Sequence, residues 1–243
     1  MTPTSAHERR SYRQPCPVAH ALDVVGERWT LLIVRDLMFG PLRFTDLRAG
    51  LPGLAPNLLS DRLRFLVNRG ILEHVEMSDP ARLVYALTPR GRQLSPVVHT
   101  LARFGVDEWT DPDDDPPPPR LERGALLALM SPERLGPLAW TALLVLPNRS
   151  TSLTVTGPGD GSPLERLRLH TADAGVVHDL VVTTKLGTLT RLRRQELTLE
   201  TAERDGLRID GAPEPRSELA LLLGWPVRSE PPPTGTAPRR SPS

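Results

Sequence analysis

Residues 50–68 read GLPGLAPNLLSDRLRFLVN, and the fold turns on this stretch. Two glycines and two prolines within 50–56 make a turn, and residues 57–68 then read as a helix. At about 100° per residue, Leu59, Leu63, Leu66 and Val67 fall on one side. Asn57, Ser60, Asp61, Arg64 and Asn68 fall on the other. One face suits a core, and the opposite one carries the polar types that read base edges in a major groove. Arg62 sits at the flank, where the count puts it within reach of a phosphate. On periodicity alone, a helix with such a polar face is usually just a solvated one.

Working outward, residues 17–25 read as a short apolar helix with proline in its first turn. Residues 28–38 (RWTLLIVRDLM) are apolar nearly all round, predicting a buried helix ended by Gly40 and Pro41. A short amphipathic helix follows at 43–49, with Phe44 and Leu47 inward. Beyond Gly70 come two extended segments, 72–77 and 83–87, joined by the turn residues Ser78, Asp79 and Pro80. A last helix spans about 89–109, with Leu94, Val97, Val98, Leu101 and Phe104 at helical spacing. Pro96 inside it predicts a kink or an early break. Helix, helix, short helix, turn, helix, hairpin, helix is the order of a winged helix-turn-helix. The DNA-facing set on this reading is Arg43, Pro56, Asn57, Ser60, Asp61, Arg62, Arg64, Asn68 and, at the hairpin tip, Arg82.

The 243 residues suit two small domains. No run of about 18 apolar residues exists, so no membrane span is expected. The polar start MTPTSAHERRSYRQ lacks the apolar stretch of a secretory signal, and a cytoplasmic location is expected. One cysteine, Cys16, excludes an intramolecular disulfide and a cysteine-rich zinc site; no metal or cofactor is expected. Residues 1–110 carry 14 arginines against 11 acidic groups, and residues 111–243 carry 16 basic against 18 acidic. That asymmetry is compatible with nucleic acid without requiring it. A flexible arm is expected at 1–15. The acidic, proline-rich segment 111–120 (DPDDDPPPPR) is expected to be an extended spacer, and 227–243 a tail.

The chain from 16 to about 109 resembles the HxlR family of winged-helix regulators. The residues that carry the likeness occur in order: Cys16-Pro17-Val18, then Gly26, Trp29-Thr30-Leu31-Leu32-Ile33, and Gly40-Pro41 with Arg43-Phe44 and Leu47. They continue through Leu59-Ser60, Arg62-Leu63, Leu66, Gly70-Ile71-Leu72, Tyr85, Leu87-Thr88 and Gly91-Arg92. The resemblance implies a bacterial transcription regulator, and a repressor is expected. It further implies a homodimer, held by the first and last helices of this domain, on a pseudo-palindromic stretch of double-stranded DNA. A two-fold dimer would set its recognition helices about 34 Å apart. Where the family usually has serine or threonine as the cap of the recognition helix, this chain has Ala55. An uncapped start costs on the order of 1 kcal/mol, offset in part by Pro56 at the first helical position. Asn57 would replace the cap if the helix began later.

A lone cysteine is often a small buried apolar residue. Cys16, however, precedes a helix whose N-terminal partial charge favours a thiolate. Resemblance also places it where relatives carry a redox-sensing cysteine. The expectation is that oxidation of Cys16 tunes DNA affinity.

Residues 121–226 read as a mixed α/β domain. Helices are expected at 121–130, 185–194 and 213–223, a short further segment at 197–202, and strands at 140–146, 152–156, 164–170, 180–183 and 207–210. The segment 180–225, ending GLRIDGAPEPRSELALLLGW, looks loosely like the second half of a sterol carrier protein-like domain. That likeness implies a helix over a five-stranded sheet with an apolar tunnel between, and a small apolar effector. The whole chain is thus expected to be α+β: a winged helix-turn-helix followed by a sterol-carrier-like domain with an antiparallel or mixed sheet. No catalytic signature is present, neither G-x-S-x-G, H-E-x-x-H nor a phosphate-binding glycine loop, and no enzyme is expected. The glycines at 157–161 lie between strands and read as a hairpin loop, and His170 and His178 as surface histidines. The competing reading is a lipophilic-molecule carrier with vestigial DNA binding.

Overall fold

The computed structural model describes residues 11–76, 83–109, 119–147, 149–173 and 175–225. The first half is a winged helix-turn-helix. Pro17 opens α1 (Pro17–Val25), and α2 (Thr30–Leu37) supplies Ile33, Val34 and Leu37 to the core. The sequence predicts α2 from residue 28. It starts later because Trp29 takes a left-handed φ of 80°, which no helix continues. Next come α3 (Phe44–Gly50) and α4 (Pro56–Asn68). The wing pairs β1 (Leu72–Glu76) with β2 (Leu83–Leu87), antiparallel, Leu72 opposite Leu87. Leu42 and Tyr85 exchange both backbone bonds (3.0 and 2.8 Å), tying the chain before α3 to the wing.

The predicted last helix is broken before Pro96. It forms α5 (Pro89–Arg92), a turn at Gln93 and Leu94, and α6 (Ser95–Gly105). Proline sits in the first turn of each piece, where its missing N–H costs nothing.

The second half is a five-stranded mixed sheet with helices. Its strands are β3 (Trp140–Leu146), β4 (Arg149–Val155), β5 (Leu167–Thr171), β6 (Leu180–Thr183) and β7 (Arg208–Gly211). Their order is β5-β4-β3-β6-β7; only β3 and β6 run parallel. The helices are α7 (Pro119–Ala128), α8 (Leu186–Arg193), α9 (Leu199–Arg204) and α10 (Pro213–Leu223). The glycine-rich stretch does join an antiparallel pair, β4 and β5. The expected tunnel under the last helix is not open there. Leu219, Leu222 and Leu223 of α10 are buried in one core with Trp140, Ala142 and Leu144 of β3.

The two halves pack on each other through α7, which lies against α6 and α2. Met38 touches both cores. Arg103 and Glu133 pair at 2.7 Å, and the Arg123 guanidinium lies 5.2 Å over the Phe39 ring. At the centre of this contact, buried His99 of α6 faces the carbonyls of Leu127 (3.1 Å) and Met130 (3.2 Å) through Nε2.

Burial holds the His99 imidazole below its ordinary value of 6.5, with Arg103 adding to the effect, while the two carbonyl contacts work the other way. Below pH 6.5 the unfolded chain therefore binds a proton that the folded chain refuses. The His99 contribution to stability is complete above pH 6.5 and is lost as pH falls from there toward the folded pKa. Buried Glu122 acts in the opposite sense: burial raises its pKa above 4.5, and stability falls as pH rises through that window. His99→Gln, which keeps a donor without titrating, isolates the histidine. Urea unfolding from pH 7.5 to 5 is expected to show a flatter pH profile for the variant, by up to about 1.4 kcal/mol per pH unit. Parallel profiles would remove His99 from the acid response.

Candidate nucleic-acid interface

The α4 helix meets the domain with one face. Leu59, Leu63 and Leu66 are fully buried, Phe65 nearly so, and Val67 is half-buried. Pro56, Asn57, Asp61, Arg64 and Asn68 are exposed, and Ser60 is half-exposed, its hydroxyl donating to the Pro56 carbonyl at 3.0 Å. The helix begins at Pro56 with Ala55 as its uncapped neighbour, so Asn57 lies inside the first turn and does not replace the cap. The free N–H groups of that first turn are left for another acceptor.

Arg64 and Asp61 pair at 3.1 Å while remaining 71% and 69% exposed. Such a pair is worth little in water and opens readily for a stronger acceptor. Arg62 is placed otherwise than its flank position predicts. Its side chain is only 11% exposed, pairs with Glu27 at 3.1 Å and lies 5.8 Å over the Phe65 ring. The guanidinium is bound between the turn before α2 and the inner edge of α4, so in this structure it braces the helix and does not reach out to a phosphate.

Arg43 is half-buried at the start of α3, its backbone N–H donating to Asp46 at 3.4 Å. Arg82 lies outside the described residues. Two residues missing from the sequence reading, Thr45 and Arg48, are exposed on α3 opposite buried Leu47. Their spacing of three, against inward Phe44 and Leu47, was the available signal. Arg69, exposed just past α4, stacks its guanidinium 5.5 Å over Phe65.

A second exposed feature adjoins this domain. Val97, Leu101 and Phe104 form an apolar stripe on α6, exposed by 46%, 50% and 78%, and α1 adds exposed Val18 and Leu22. Cys16 caps α1 at its N-terminus and is half-buried; its carbonyl accepts from His20 N–H at 3.0 Å. In the other half, His178 Nε2 lies 2.9 Å from the Ser152 hydroxyl, and His170 is exposed on β5. Among the described residues no three His, Cys, Asp or Glu side chains gather as a metal site, and no helix is long and apolar enough to cross a membrane.

A three-helix core, a polar-faced α4 and a two-stranded wing define a winged helix-turn-helix protein. Residues 24–114 match the HxlR-like helix-turn-helix family. Over 101 residues the chain is 45% identical to an uncharacterized HTH-type transcriptional regulator of Mycobacterium tuberculosis, covering 41% of this chain and 63% of that protein. The chain therefore spans less than two thirds of that relative's length. It is 36% identical over 99 residues to the uncharacterized HTH-type transcriptional regulator YvaP of Bacillus subtilis, covering 40% of this chain and 91% of YvaP. The solved structure of the transcriptional regulator YodB of B. subtilis in its reduced form is 29% identical, with a TM-score of 0.34, over 41% of this chain and 98% of YodB. The chain belongs to the HxlR-like helix-turn-helix family.

Proposed function

We propose that this protein is a cytoplasmic, homodimeric DNA-binding regulator of transcription, acting as a repressor, and not an enzyme. The observation that carries the reading is the free polar face of α4, set rigidly on three fully buried leucines. Asn57, Ser60, Asp61 and Arg64 supply the base-reading types near the helix's N-terminal half. The uncapped N–H groups of Asn57 and Leu58 in the first turn suit a DNA phosphate. Arg43, Thr45 and Arg48 are assigned to the backbone, as the helix before a recognition helix crosses it. Arg82 is assigned to phosphate or minor groove at the wing, and Asn68 to the far end of the helix face.

Selection of genomic fragments on the purified protein is expected to recover an inverted repeat with half-sites about 10 base pairs apart. On that site, Arg64→Ala is expected to cost about 1–3 kcal/mol, with little change on unrelated DNA. A uniform loss on all sequences would move Arg64 to the phosphate class. Arg82→Ala is the comparator, with equal weakening everywhere and a salt slope smaller by about 1. Binding that is weak, blind to sequence and erased by salt would favour the carrier reading instead.

Dimerisation is assigned to the exposed stripe of α6 with Val18 and Leu22 of α1. Cys16 lies one residue before α1, so two protomers joined there bring two thiols toward one interface. Diamide would oxidise the pair to an intersubunit disulfide, taking up the two electrons and two protons itself. Treatment is expected to change operator affinity several-fold in the native protein and not in Cys16→Ser. Equal affinity before and after would sink the redox role.

A further inference from the structure

A large recess lies where the two halves meet, away from α4 and from the apolar stripe. It is a cleft of about 940 Å³, within the range of small-molecule sites. One wall is the winged domain: Phe39 to Pro41, the end of β2 at Ala86 and Leu87, and the turn before α6. The other is the free edge of β5, of which both the buried Leu167 and Leu169 and the exposed Arg168 and His170 line it. Strand side chains alternate between faces, so this lining means that the cleft runs along the strand edge.

Its chemistry is specific. Leu37, Met38, Phe39, Leu127, Leu167 and Leu169 give an apolar floor. Two arginines stand at it from opposite walls, Arg92 from α5 and Arg168 from β5. Each is oriented by backbone carbonyls through Nη1. Arg92 donates to Leu87 O at 2.7 Å, and Arg168 to Glu165 O and Leu167 O at 2.7 and 3.1 Å. A guanidinium has five N–H donors, so most remain available for a planar anion. Among the described residues, Glu165 is the one carboxylate lining the cleft, and neither arginine is ion-paired.

We propose that this cleft binds a small organic anion with an apolar ring or chain, its charged end between Arg92 and Arg168 and its body on the leucine floor. The occupant touches both halves of the protein and the root of the wing. Phe39 to Pro41 lead into Leu42, which is bonded to Tyr85 of β2 on both backbone groups. A ligand that prefers one relative placement of the two halves therefore shifts the wing and with it DNA affinity. This coupling rests on the regulator reading; the site itself does not.

The test uses the full chain and two fluorescent probes of one shape: 1-anilinonaphthalene-8-sulfonate, which carries an anion, and N-phenyl-1-naphthylamine, which lacks it. The sulfonate is expected to bind at one site per chain, about tenfold or more tighter than the neutral probe. Arg168→Glu, which removes the charge, and Gln93→Trp, which fills the cleft from an exposed lining position, are each expected to weaken it by about tenfold or more. Phe104→Glu, on the apolar stripe, is expected to leave it unchanged. Gln93→Trp leaves both arginines intact, so its loss cannot come from a misfolded Arg168 variant.

Equal binding of the two probes, no binding, or binding that survives both cleft variants would overturn the site. Sulfonate at saturation is expected to change operator affinity several-fold in the native protein. Unchanged affinity alongside confirmed probe binding would overturn the coupling alone. Failure to find any operator would fall on the regulator reading, because probe binding is read without DNA.

Discussion

Leu101→Glu with Phe104→Glu is expected to give a folded monomer that binds operator roughly 100-fold more weakly than the native protein. The physical reason lies in how α6 is used. Val98 and His99 turn inward, against the winged-domain core and α7. Val97, Leu101 and Phe104, at helical spacing of four and three, turn outward and stay 46–78% exposed. Large apolar residues grouped on one helix face at that exposure mark an interaction surface. Two carboxylates per protomer on that stripe would lie in a desolvated interface against their own copies, without partners. The fold itself loses nothing, since neither side chain belongs to the core. Sedimentation should read one chain for the variant against the two expected of the native protein, and the melting curve should stay cooperative. An unchanged dimer would move the interface off α6.

The second large effect is on stability. Gly91→Ala is expected to destabilise the protein by about 1–3 kcal/mol, the range for overpacking a closed site. A Cβ on Gly91 would stand 2.1 Å from the Ile71 carbonyl oxygen and 3.2 Å from a Leu87 methyl. That carbonyl is backbone, held in turn by the Thr88 N–H at 3.0 Å. The Thr88 hydroxyl donates to the Gly70 carbonyl at 2.6 Å and accepts from the Gly91 N–H at 3.0 Å. Strand β1, strand β2 and α5 thus converge on a residue with no side chain. In a chain of this size each 1 kcal/mol shifts the melting temperature by about 2–4 °C. Gly105→Ala, where nothing lies within 4 Å, serves as control and is expected to be neutral or mildly stabilising. If both variants melt alike, the close approach at Ile71 is not what requires glycine.

Much of the fold was legible before any coordinates. The bounds of α1, β3, β6 and α10 agree with their sequence reading, because each is set by local chemistry. Pro17 and Pro213 preset φ at helix starts, and glycine at 26 and 224 follows the helix ends. The apolar run of β3 marked the segment, while its strict alternation of buried and half-buried positions came only with the fold. The inward face of α4 was equally readable, since leucines at i, i+4 and i+7 leave one way for the helix to sit.

Other features were decided only by the tertiary structure. Arg62 and Arg64 are both arginines on one helix, two residues apart. Glu27 and Phe65 draw the first inward, and this pairing brings together residues 35 apart in sequence. Trp29 adopts its left-handed turn within the folded domain, against the local preference of its side chain. The parallel pairing of β3 with β6 and the cleft between β5 and the wing join segments that share no local signal. Local propensity and periodicity act over a few residues and determine elements and faces. Which faces meet depends on packing between distant segments, and in this protein that packing brings Arg92 and Arg168 to one cleft.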